Sequence, residues 1–206
     1  MSVFRTLLAS LVILAAGVAT LATATDGFRA FTTETPRRIA VSEHPRALPP
    51  VPLQTAGGQT IDFTRFRGRW LLVDFIYTRC MTYCSVQGTE FARLQARLAQ
   101  PIAAGKVELL SISFDPARDG PAELAAYQQR SRDHGKGWIA ARPQDARDLD
   151  ALLRVFGVKA VPDALGGYVH NAAINVVDPE GRLVAVLDWD DPRGAARYVD
   201  ARVRQP

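Results

Sequence analysis

The sequence predicts an α/β domain of three layers around a central mixed sheet, preceded by one apolar segment. Three observations carry this. From Leu53 onward, short apolar runs of strand type alternate with helical patterns. The chain then closes with a hairpin and one more helix. A separate apolar block stands at the N-terminus.

That block runs from Leu7 to Ala24 and is broken only by Ser10, Thr20 and Thr23. Arg5 and the amino terminus precede it, which is the layout of an export signal. Its length also suits a single membrane-crossing helix. Ala22-Thr23-Ala24 reads as a small-x-small cleavage site. Residues 1–24 are therefore expected to be a signal anchor or a signal peptide, with the anchor preferred because the run is long for a signal core. Arg29, Arg37 and Arg38 follow the span closely, but long downstream domains translocate largely regardless of such charges. The expected location is the periplasmic face of the inner membrane, or the soluble periplasm if the segment is cut. Residues 25–52 carry Pro36, Pro45, Pro49, Pro50 and Pro52 with no clear period, and read as a linker.

Residues 53–206 form the expected domain. Leu53-Gln54-Thr55 and Gln59-Thr60-Ile61 flank Ala56-Gly57-Gly58 as a hairpin. Trp70 to Tyr77 is apolar and aromatic-rich, the pattern of a buried central strand. A helix follows, with Val86, Phe91, Leu94 and Leu98 spaced for one buried face. Val107 to Phe114 reads as a second buried strand ended by Asp115-Pro116. Pro121 to Arg130 reads as a helix, with Asp119 as its cap and Pro121 in the first turn. Trp138-Ile139-Ala140 is a short strand. Asp145 to Phe156 is a helix closed by Gly157, its apolar side formed by Leu149, Leu152, Leu153 and Phe156. A loop with Pro162, Gly166 and Gly167 leads to a hairpin of Ala173–Val177 and Leu183–Leu187. Pro192 to Arg204 is the last helix, capped by Asp190 or Asp191.

Composition excludes some functions. The net charge is +4, but Arg residues are interleaved with acids along the chain, so no basic face for nucleic acid is built. Two cysteines are too few for a disulfide-stapled scaffold of this length, which points to chemistry instead.

Cys80 and Cys84 lie where the buried strand hands over to a helix. That is the carboxyl end of a central strand, where open α/β sheets place their sites. The helix N-terminus favours thiolate over thiol. Two thiolates four residues apart can close a disulfide or share one soft metal. Copper(I), zinc and iron–sulfur clusters all accept thiolates. A structural zinc site usually takes four protein ligands, and a cluster needs more cysteines. Two Cys and one His suit copper. Of the three histidines, His44 lies in the Pro-rich segment and His134 in a polar loop, and both read as surface residues. His170 stands on a Gly-containing loop just before the terminal hairpin. Asp188, Asp190 and Asp191 read as turn and cap chemistry.

Four segments in order carry a family resemblance. They are Phe75-Ile76-Tyr77-Thr78-Arg79-Cys80-Met81-Thr82-Tyr83-Cys84, then Ser111 to Asp119, then Phe156-Gly157-Val158, then His170 leading to Val177-Asp178-Pro179-Glu180-Gly181. Together they resemble the SCO/SenC proteins from about Leu53 to the C-terminus. The resemblance implies a thioredoxin-like fold, in which the His170 loop passes beside the turn carrying the cysteines. It implies that Cys80, Cys84 and His170 are copper ligands. It further implies anchoring outside the cytoplasm and a role in cytochrome c oxidase assembly. The chain departs from the family pattern at Met81 and Ser85, where Pro often follows each Cys, and at Val169, where Asp often precedes the His.

Two functions follow as expectations. The first is a copper chaperone for the copper-bearing subunit of cytochrome c oxidase, or for another copper or thiol protein. The second is a protein thiol–disulfide oxidoreductase, with Cys80 and Cys84 as the redox pair. A copper or oxidant sensor without turnover fits the same residues.

Overall fold

The computed structural model describes residues 2–24, 34–79, 83–131, 135–164 and 166–204. The chain divides into two compact units, Met1–Ala40 and Val41–Pro206. In the first, α1 (Ser2–Ala24) contains the apolar stretch Val3–Thr23, long and apolar enough to cross a membrane.

The segment expected as a linker is partly structured. It holds helix α2 (Glu34–Glu43) and strand β1 (Arg46–Ala47). Val41 and Val51 are buried in the core of the second unit. The Pro-rich spacing hid β1, whose residues Arg46 and Ala47 pair with Leu183 and Arg182 far along the chain.

The expected hairpin forms as β2 (Leu53–Thr55) and β3 (Thr60–Ile61), followed by a 3-10 turn over Phe63–Phe66. Strand β4 (Trp70–Ile76) runs into the site region and on to helix α3 (Tyr83–Arg97). Then come α4 (Ala99–Ala103), β5 (Val107–Ser113), α5 (Pro121–Arg130) and β6 (Trp138–Pro143). The chain continues through α6 (Ala146–Phe156), β7 (Ala160–Pro162), β8 (Tyr168–His170), β9 (Ile174–Val177), β10 (Arg182–Leu187) and α7 (Pro192–Val203).

Eight strands make one mixed sheet in the order β1-β10-β9-β4-β5-β6-β2-β3. β4, β5 and β6 are parallel neighbours, while β9 lies antiparallel against the other side of β4. β4 thus sits in the middle, as its near-continuous apolar sequence predicts. Its side chains alternate between two cores. Leu71, Val73 and Phe75 pack with Phe63, Leu152 and Phe156 on the α6 face. Leu72 and Ile76 pack with Phe91, Leu94, Leu124 and Val199 on the face covered by α3, α5 and α7.

Helix ends follow local chemistry. The Asp145 carboxylate accepts from the Asp148 amide, and Gly157 closes α6 at φ 66°, a left-handed conformation that favours glycine. Asp191 caps α7 by accepting from the Gly194 amide. Three details differ from the sequence reading. β6 extends to Pro143 because it pairs with both β5 and β2. Val86 is about half exposed rather than part of the buried face of α3. The loop read around Pro162 is the hairpin β7–β8, a two-stranded sheet of its own.

Candidate metal centre

β4 ends at Ile76 and delivers Tyr77, Thr78 and Arg79 to the carboxyl end of the parallel strands. Cys80 falls next, outside the described residues, as do Met81 and Thr82. α3 begins at Tyr83, so the backbone of Cys84 lies in its first turn. Helix N-termini carry partial positive charge, which favours a thiolate there. The described chain gives the strand end before the pair and the helix start that holds the Cys84 backbone.

The approach to Cys80 is held from beneath. Asp119 accepts from the Thr78 amide at 2.9 Å and from the Thr78 hydroxyl at 2.6 Å. It also accepts from the Ser113 hydroxyl at 2.6 Å. Ser113 accepts in turn from the Asp115 amide. Arg130 donates to the Thr78 carbonyl at 3.0 Å. Asp119 was expected to cap α5, but Gly120 is the N-cap residue and offers no side chain. The Asp119 carboxylate points instead to three donors at the strand ends, a better-satisfied arrangement for a buried charge.

His170 ends β8, with Ala160 of β7 as its register partner. Its ring centroid lies 5.0 Å from that of Phe114 and 6.5 Å from that of Tyr77. Tyr77 stands three residues before Cys80, so the fold brings His170 to the same strand end. Two bonds tie the hairpin to this region: Arg79 donates to the Gly166 carbonyl, and the Tyr168 amide donates to the Tyr77 hydroxyl. His170 Nδ1 is buried and has no hydrogen-bond partner among the described residues. Burial lowers the imidazole below its ordinary pKa, which keeps it neutral. A neutral ring with an uncommitted buried nitrogen suits a metal ligand.

His44 is exposed after α2, and His134 lies outside the described residues. Asp191 serves as the helix cap the sequence suggested.

One feature of the region escaped the sequence reading. Asp74 lies in the middle of β4 and is 1% exposed. Gln87, one turn after Cys84 on α3, donates to Asp74 at 3.2 Å and to the Phe75 carbonyl at 3.3 Å. Ser111 neighbours Asp74 in register on β5 and accepts from the Trp138 indole at 2.9 Å. Burial pushes the Asp74 carboxyl up to about 7, against smaller opposing effects from Ser111 and Gln87. A lone acid inside an apolar strand run was the available signal.

Comparison with known proteins identifies the family and the fold. The SCO1/SenC family model matches residues 40–201. A SCO1 protein homolog of Bacillus subtilis is 25% identical over 138 residues, covering 66% of this chain and 70% of that protein. The copper-bound structure of yeast Sco1 superposes with TM-score 0.64 at 20% identity, covering 79% of this chain and 91% of that one. BsSco, described as a member of the Sco family of cytochrome c oxidase assembly proteins with a disulfide switch, gives TM-score 0.68 at 20% identity over 79% of this chain and 96% of that one. The structures establish the thioredoxin-like fold. With the family match extending over most of its length, this chain belongs to the SCO1/SenC family.

Proposed function

We propose that the chain binds one copper ion through Cys80, Cys84 and His170 and delivers it to the copper-bearing subunit of cytochrome c oxidase. His170 is the observation that carries the reading. Its neutral ring and buried Nδ1, unpartnered among the described residues, stand at the strand end that leads to Cys80 and α3. Soft thiolates with one imidazole form a donor set that copper accepts. Three ligands leave coordination open for a partner's ligand, so copper can pass between proteins without becoming free. The copper-bound yeast relative and the oxidase-assembly role ascribed to BsSco support the same reading. Helix α1, retained as an anchor, would hold the domain at the periplasmic face of the inner membrane; cleavage would leave it soluble there.

The disulfide switch of BsSco favours a second reading, thiol–disulfide exchange by Cys80 and Cys84 on a partner's cysteines.

The test is copper titration of the reduced full chain in detergent, beside His170→Ala. One copper per chain, with a sulfur-to-copper(II) absorption band that shifts or fades in the variant, is expected. No tight copper in either protein, with a reversible disulfide intact, would leave thiol exchange as the function.

A further inference from the structure

Asp119 is fully buried and stands outside both the proposed ligand set and the helix cap. Burying a carboxylate is costly unless its lone pairs are filled. Here they are filled by Thr78 and Ser113, and two of the three bonds are 2.6 Å long. That is the short range of charge-assisted O–H···O bonds.

The direction of these bonds matters more than their number. Thr78 gives Asp119 both its amide and its hydroxyl, while its carbonyl accepts from Arg130. All three polar groups of one residue are therefore held by side chains at the two ends of α5. Thr78 is two residues before Cys80. Arg79, between them, pairs with Asp115 at 3.1 Å and also donates to Gly166 in the hairpin that bears His170. The chain heads toward Cys80 from a fixed peptide at Thr78, and Arg79 also reaches the hairpin.

We propose that Asp119 is a positioning residue for the copper site: by clamping Thr78 it fixes the peptide from which the chain leads to Cys80. This rests on the copper reading above. Small displacements of a ligand weaken a metal site steeply, because each ligand must be held near its bonding position.

The test compares Asp119→Asn, Thr78→Val and Thr78→Ser in the full chain with Glu108→Gln as control. Glu108 is another buried carboxylate, paired with Arg69 at 2.7 Å near the opposite end of β5. Three readouts are taken: copper affinity against a competing chelator, the Cys80–Cys84 disulfide equilibrium with glutathione, and the thermal midpoint. Asp119→Asn is expected to weaken copper by about tenfold or more, the scale of lost support around a ligand, and to move the thiol equilibrium toward dithiol. Thr78→Val shows a smaller change in the same direction, and Thr78→Ser restores wild-type behaviour. Glu108→Gln lowers the midpoint and leaves copper and thiol readouts unchanged. If Asp119→Asn matches Glu108→Gln in both readouts, Asp119 is structural only and the proposal fails. Should Asp119→Asn not fold, the Thr78 pair decides. If the wild type binds no copper, the copper reading fails separately, and the disulfide equilibrium still judges Asp119.

Discussion

The two faces of the sheet follow different rules. On the α6 face, β4 contributes only Leu71, Val73 and Phe75, and Phe156 meets Phe75 edge-on with centroids 5.1 Å apart. On the opposite face, the same strand places Asp74 between Leu72 and Ile76, bonded to Gln87 of α3. One face is close-packed hydrocarbon; the other accepts a buried acid. The polar interruption falls on the side of α3, whose first turn holds Cys84. Both faces bury a large apolar core, but only the second has a carboxyl of β4 within it.

Breaking the apolar face should have the largest effect. Phe156→Ala removes a fully buried ring and is expected to cost about 3–5 kcal/mol in chemical denaturation. A loss under about 1 kcal/mol would contradict close packing there.

The polar face should respond with the opposite sign. The folded Asp74 pKa, about 7, lies above its ordinary value of 3.8. Between those values the folded state holds a proton that the unfolded state has lost, so stability falls as pH rises and the penalty is complete above about 7. Asp74→Asn is therefore expected to stabilise the protein by a few kcal/mol at pH 8, with the gain shrinking toward pH 4. Denaturation curves across that range test it. A gain that does not vary with pH would mean the carboxyl is not titrating.

The smallest effects should be equal on the two faces. Asp145→Ala uncaps α6 and Asp191→Ala uncaps α7. Each is expected to cost about 1 kcal/mol, read as a lowered thermal midpoint. Unequal losses would show that one helix depends on its cap more than on its packed face.

Much of this was legible in the sequence because burial leaves a periodic trace. The apolar run of β4, the 3.6-residue spacing of Phe91, Leu94 and Leu98, and Gly157 after α6 all mark their elements directly. Elements that depend on distant partners left no such trace. β6 runs past Ala140 because β2 pairs with its second half, and β7–β8 forms around a Pro that sequence rules assign to a loop. Asp119 illustrates the same limit at the site. Its place before Pro121 satisfies the local capping rule, but the stronger donors come from Thr78 and Ser113, brought close only by folding. The sequence marks His170 as a candidate by its place before the terminal hairpin and by the family motif, but not the aromatic rings that surround it.

X-ray absorption at the copper edge of the copper-loaded full chain tests the central claim most directly. The account predicts a first shell of two sulfur neighbours and one imidazole nitrogen, with the nitrogen lost in His170→Ala. A shell of sulfur alone in the wild type, unchanged by that substitution, would contradict it.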